Sequence, residues 1–182
     1  MKLLLLSGSL RGGSTNNAVL ETIAEMVGDT VAVRYTGTAQ LPHFNPDDDH
    51  DPLPAPVVEL RSAIAASDVL LICTPEYAGS LPGSFKNLLD WTVGGVETEH
   101  KRAAWINVST SPAGAADTHT ALRAVLTYTG CDVVDEACRH VPTPRSAVAD
   151  GVVTDASLRS AYAEVVQSLR RQVDRQAGAS LP

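Results

Sequence analysis

Short apolar runs and helix-spaced apolar stripes alternate along most of this chain. Residues 3–6 are all leucine, the pattern of a strand covered on both faces. Val19, Ile23, Met26 and Val27 then recur at helical spacing, and Gly28 is placed to end that helix. Residues 31–35 alternate and predict a second strand. Val57, Leu60 and Ile64 mark a second helix, and the run Asp68-Val69-Leu70-Leu71-Ile72-Cys73 predicts a third strand. Phe85, Leu88 and Leu89 stripe a third helix ending near Trp91. Residues 103–108 read as a fourth strand, and Leu122, Val125 and Leu126 stripe a fourth helix. Residues 131–134 predict a fifth strand. Leu158, Tyr162, Val165, Val166, Leu169 and Val173 predict a long closing helix with a polar outer face.

Strands alternating with helices imply right-handed crossovers and a parallel sheet. Five strands suit the order 2-1-3-4-5, with its switch point between the first and third strands. The expected fold is α/β, a flavodoxin-like three-layer sandwich with helices on both faces of a five-stranded parallel sheet. No internal repeat or linker divides the 182 residues, so a single domain over 1–182 is expected. Residues 42–56 form a Pro- and Asp-rich connection containing Asp47-Asp48-Asp49-His50-Asp51. Carboxylates beside a histidine suit a hard cation, but a solvated surface loop is the ordinary reading. Residues 177–182 are expected to fray.

Composition narrows the function classes. Lys plus Arg total 14 against 21 Asp plus Glu, a formal charge of -7, which argues against non-specific nucleic-acid or anionic-membrane binding. A small anion held by local donors stays open. Cys73, Cys131 and Cys138 show neither metal-ligand spacing nor C-x-x-C, which fits a reducing cytoplasm better than secretion. The opening apolar stretch ends at Ser7, too short for an export signal, and no stretch has bilayer-spanning length. A soluble cytoplasmic protein is expected.

Two loops carry the chemistry, and both follow buried-strand patterns and precede helices. The first is Ser7-Gly8-Ser9-Leu10-Arg11-Gly12-Gly13-Ser14-Thr15-Asn16-Asn17. It comes near the Walker A spacing, but Ser14 stands where that motif needs its lysine. The dinucleotide fingerprint G-x-G-x-x-G is absent, as is the hydrolase elbow G-x-S-x-G. What remains is a donor-rich turn entering a helix. Ser9, Ser14, Thr15 and Asn16 supply neutral donors, and the first-turn N–H groups point the same way. The helix dipole adds about 0.3–1 kcal/mol for an anionic contact, and Arg11 about 1.5–3 kcal/mol if well placed. Such a site suits a terminal monophosphate. The alternative, that Ser14 or Asn16 merely caps the helix, does not account for so many donors together with an arginine.

The second loop, Thr74-Pro75-Glu76-Tyr77-Ala78-Gly79-Ser80-Leu81-Pro82-Gly83, combines fixed torsions at proline with close approach at glycine. It is rigid and offers main-chain groups to something flat. An ordinary Pro/Gly turn with Tyr77 as a packed aromatic is the alternative. Gly8-Ser9-Leu10-Arg11 with Ser14 and Asn16, then Thr74-Pro75-Glu76-Tyr77, Pro82-Gly83, Lys86-Asn87 and Asp90-Trp91, resemble the NADPH-dependent FMN reductases. That family includes quinone, chromate and azo-dye reductases. The resemblance implies that Ser9, Arg11, Ser14 and Asn16 hold the FMN phosphate. It implies that Pro75, Glu76, Tyr77, Ala78 and Gly79 border the isoalloxazine ring, and that Ser109 and Ser111 approach its pyrimidine side. Two departures stand out: Ala78 replaces the family's usual Asn, and Gly114-Ala115-Ala116-Asp117-Thr118 lacks the usual Gly pair and Arg.

The activity so implied is hydride transfer from NADPH or NADH to FMN and on to a small acceptor: free flavin, quinone, azo compound or metal oxyanion. Backbone N–H groups near the pyrimidine would stabilise the charge that reduction places there. His119 and Glu76 are the nearest titratable groups, and neither is assigned a catalytic role; His119 is expected at the surface. An electron carrier without its own nicotinamide site, or a flavin-free interaction domain, are the rival readings. Relatives form dimers or tetramers, so a homodimer or homotetramer is expected, with Trp91, Val93 and Val96 as candidate contacts; the ordinary alternative places all three in the monomer's own core. Arg123, Arg139 and Arg145 are the cations considered for a nicotinamide 2′-phosphate, with none singled out.

Overall fold

The computed structural model describes residues 1–28 and 31–179, with side chains as far as Arg175. Its sheet is built from β1 (Leu3–Ser7), β2 (Ala32–Tyr35), β3 (Val69–Cys73), β4 (Arg102–Asn107) and β5 (Asp132–Val133) in the order β2-β1-β3-β4-β5. All of these pairs are parallel. The predicted order is therefore the observed one, with the chain reversing its direction of winding between β1 and β3.

The all-leucine strand explains the layering. Leu3 and Leu5 face one core with α1 (Thr15–Val27) and α5 (Ala156–Ala179), while Leu4 and Leu6 face a second core on the opposite side. That second core is closed by α2 (Ala55–Ala65), α3 (Gly83–Asp90) and α4 (Ala116–Tyr128). All four leucines are buried, which is why no polar residue interrupts the run. Trp91 is fully buried in the second core and so is not an interface residue, whereas Val93 and Val96 are exposed.

Three features depart from the sequence pattern. The fifth strand is shorter than residues 131–134: after Val134 donates to the Ala103 carbonyl, a 3-10 turn over Asp135–Ala137 lifts the chain off the sheet. It returns as β6 (Arg139–His140), pairing with the far end of β4, so two short segments share one sheet edge. A hairpin of β7 (Val148–Ala149) and β8 (Val152–Val153) then precedes α5. Two-residue strands carry no periodicity to read. At the C-terminus α5 extends to Ala179, and residues 180–182 of the stretch expected to fray lie outside the described residues.

The connection over residues 42–56 is stitched down. Trp91 Nε1 and Asn87 Nδ2 both donate to the Pro42 carbonyl, and the Phe44 N–H donates to Asn87 Oδ1. Asp49, one of the clustered carboxylates, is taken by Arg61 at 2.7 Å in a nearly buried pair. It is a structural anion.

Candidate functional site

The loops leaving β1, β3 and β4 meet above the carboxyl ends of those strands, where open α/β sheets hold ligands. They enclose a cavity of about 530 Å³, within the usual range for small-molecule sites. Ser9, Arg11, Ser14, Thr15 and Asn16 line it from the first loop. Pro75, Glu76 and Tyr77 line it from the second, and Ser109 and Ser111 from the third. Residues separated by about a hundred positions in sequence thus share one cavity. Ala78 and Gly79 lie at the exposed tip of the second loop and do not line it.

The first loop is fixed by its own polar groups. Ser14 caps α1, its Oγ accepting from the Asn17 N–H at 3.1 Å, which leaves the hydroxyl proton free to donate. Capping and ligand binding are therefore compatible at this residue. Ser9 Oγ accepts from the Arg11 N–H at 3.4 Å, and Ser7 hydrogen-bonds the Asn17 carboxamide. Asn16 Oδ1 accepts the Cys73 thiol at 3.2 Å, so its NH₂ group is turned to other use. No acidic residue stands in the first turn of α1, so the positive end of its dipole is uncompensated. Arg11 has no carboxylate within ion-pair distance among the described residues. The donors, an uncompensated helix start and a free guanidinium fit a phosphate dianion.

The second loop turns sharply at its tip. Tyr77 and Ser80 exchange both backbone hydrogen bonds across a two-residue turn in which Ala78 and Gly79 have φ of 52° and 71°. Glycine adopts that conformation freely, whereas alanine is strained by about 1 kcal/mol. Asparagine tolerates it better than alanine does. Ala78→Asn should therefore stabilise the protein by about 1 kcal/mol, read as a higher midpoint in thermal unfolding. A lower midpoint would mean that the turn is not left-handed in solution.

Glu76 is not a free base. Its Oε2 accepts the Thr118 N–H at 3.0 Å in the first turn of α4, whose own cap residue Ala115 (φ 51°) has no side chain to do so. It caps a helix from another loop and fixes the second loop to the third. In the third loop the Ser109 N–H donates to Asn107 Oδ1 at 3.0 Å, and the Ser109 and Ser111 hydroxyls are 2.9 Å apart. His140 Nε2 sits 2.8 Å from the Ser109 carbonyl.

His119 is buried at 7 % exposure, a correction to its expected surface position. Helical spacing within α4 turns it inward against the Trp105 ring, 5.9 Å away. Burial lowers its pKa, against the opposing effect of the Ala115 carbonyl, which lies 2.8 Å from Nδ1. Burial raises the pKa of all three thiols, to about 11 at Cys131 and Cys138 and beyond that at Cys73. No thiolate is available for nucleophilic chemistry.

Thr74, Val108, Thr110, Ala115, Thr143 and Arg145 also line the cavity. The first four adjoin the loops already singled out. Thr143 and Arg145 come from the segment after β6 and carry no local motif that would have placed them.

Comparison with known proteins follows the same lines. Residues 1–143 match the family model of the NADPH-dependent FMN reductases. The chain is 30% identical over 181 residues to an NAD(P)H-dependent FMN reductase of Pseudomonas aeruginosa, covering 98% of both chains. It is 33% identical over 131 residues to a 2-hydroxy-1,4-benzoquinone reductase of a Burkholderia species, covering 70% of this chain and 71% of that one. Among solved structures it is similar to FerB, a flavoenzyme NAD(P)H:(acceptor) oxidoreductase of Paracoccus denitrificans. That match has a TM-score of 0.79 and 28% identity over 93% of this chain and 97% of the other.

Proposed function

The chain belongs to the NADPH-dependent FMN reductase family, an oxidoreductase with FMN as cofactor and NAD(P)H as reductant, and from that premise we propose that it reduces a small quinone-class acceptor. Relatives named for quinone reduction support that class. The observation that carries the reading is the convergence of three loops on one cavity lined by hydroxyls, amides and Arg11, which has no ion-pair partner among the described residues.

FMN held in this cavity would supply the hydride chemistry between nicotinamide and acceptor. The residues do the rest. Ser9, Arg11, Ser14, Thr15 and Asn16 hold the phosphate. Pro75, Glu76 and Tyr77 border the ring, with Ala78 and Gly79 setting the turn, and Ser109 and Ser111 approach the pyrimidine edge. The Ser109 and Ser111 N–H groups donate within their own loop, so the serine hydroxyls of that loop stabilise negative charge there without a titrating side chain. Residues 1–182 act as one FMN-binding domain. Free thiols agree with work in the cytoplasm. The exposed apolar side chains of Val93, Val96 and Tyr128 support a homodimer or homotetramer.

Arg11→Ala should weaken FMN binding by about 1.5–3 kcal/mol in a fluorescence titration without unfolding the chain. Unchanged affinity would show that Arg11 serves another ligand. The reconstituted protein should bleach on adding NADPH alone and recover its colour with a benzoquinone. Failure to bleach would favour an electron carrier, and turnover with free flavin but not quinone would overturn the acceptor class.

A further inference from the structure

Arg145 lies beyond the residues matched by the family model, so membership assigns it no role. Its position is nevertheless held. The Thr143 N–H donates to the Val108 carbonyl at 3.1 Å, and Thr143 Oγ1 is 2.6 Å from the hydroxyl of the buried Tyr162 on α5. On the other side, the Val153 N–H donates to the buried Thr22 of α1 at 2.8 Å. Between these two fastenings, Arg145 begins a 3-10 turn.

From there its guanidinium reaches the phosphate loop. A Cβ built on Gly13 would meet Arg145 Nη2 at 3.3 Å, so the side chain lies against the bare backbone of that glycine. It lines the cavity together with Arg11, Ser14 and Asn16. Among the described residues no carboxylate lies within ion-pair distance of Arg145, in a chain of net charge -7 where such partners are plentiful. Two guanidiniums, from segments 134 positions apart, thus line one cavity, and among the described residues neither is held in an ion pair.

We propose that Arg145 is a second cationic phosphate-holding residue for FMN, clasping the phosphate together with Arg11 and coupling the segment before the β7–β8 hairpin to cofactor binding. This rests on the reading of the first loop as the phosphate site. A dianion matches two monocations, and planar guanidiniums bind phosphate oxygens in pairs. A side chain on Gly13 would make Arg145 give way by a few tenths of an ångström.

The test compares FMN with riboflavin, which lacks the phosphate, on flavin-free wild type, Arg145→Ala, Arg145→Lys and Arg11→Ala. Arg145→Ala should weaken FMN binding by about tenfold or more and leave riboflavin binding unchanged, with Arg145→Lys between it and wild type. Arg145 is exposed, so the variant should fold, which circular dichroism checks. Wild-type FMN affinity in Arg145→Ala, with a loss in Arg11→Ala, would overturn the inference alone. Equal binding of FMN and riboflavin by wild type would overturn the phosphate site itself. Unchanged FMN binding with a raised KM for NADPH but not NADH would also overturn it, placing Arg145 on the nicotinamide 2′-phosphate instead.

Discussion

Arg61→Met is expected to lower stability by about 3–5 kcal/mol, because it strands a charge that the fold has already taken out of water. Arg61 is 8 % exposed and its Nη2 donates to Asp49 Oδ1 at 2.7 Å. Its Nε and Nη2 also donate to the Trp91 carbonyl, at 3.0 and 2.9 Å, where α3 ends. One side chain therefore satisfies an anion and an open helix terminus together. Methionine matches much of the aliphatic stem but supplies no donor, leaving the carboxylate and the carbonyl unpaired. The double variant Arg61→Met/Asp49→Leu should recover most of the loss, since replacing a buried pair by apolar groups is often neutral. Urea unfolding of both measures this. A loss below about 1 kcal/mol in the single variant would show the pair to be solvated.

Gly8→Ala should damage both the fold and the site. The Gly8 N–H donates to the Cys73 carbonyl at 3.0 Å, so the two main chains run side by side as the first and second loops depart. A Cβ on Gly8 would lie 1.9 Å from Thr74 Oγ1, 2.5 Å from its Cβ and 3.0 Å from its Cα. Rotating the hydroxyl relieves only the first of these. The strands must part, at about 1–3 kcal/mol for overpacking, and the loops that line the cavity part with them. Gly8→Ala should thus combine a lower unfolding midpoint with weaker binding of both FMN and riboflavin. That pattern differs from an arginine variant, which affects the phosphorylated flavin only. Thr74→Gly in the same chain should restore part of both losses. Full stability and full flavin affinity in Gly8→Ala would rule out the close approach.

Much of the fold was legible because burial on both faces demands apolar residues without interruption. Residues 3–6 and 69–73 could be read as central strands on that ground alone, and the donor-rich stretches after them then had to sit at the strands' carboxyl ends. The same reasoning failed at β6 and the β7–β8 hairpin. Their two-residue strands are shorter than any repeat of the pattern. It failed again at His119, where one polar residue on a helix looks the same whether it faces water or Trp105.

Roles that depend on a distant partner were likewise invisible in one dimension. Asp49 reads as one carboxylate among four until α2 brings Arg61 to it. Glu76 reads only as a titratable loop residue until α4 presents the Thr118 amide, which its oxygen accepts at 3.0 Å. Ala78 reads as a lost ligand contact, while its φ of 52° shows a cost in backbone strain.

By itself, then, the amino-acid order determined the α/β layering, the strand succession and the two loops that line the cavity. These depend on local hydropathy and on residue types that act through their own backbone. Only the tertiary structure decided which charges are spent within the protein and which face the cavity. The Arg61–Asp49 pair and the capping of α4 by Glu76 depend on distances across the fold, which separation along the chain does not set once the sheet has brought remote segments together.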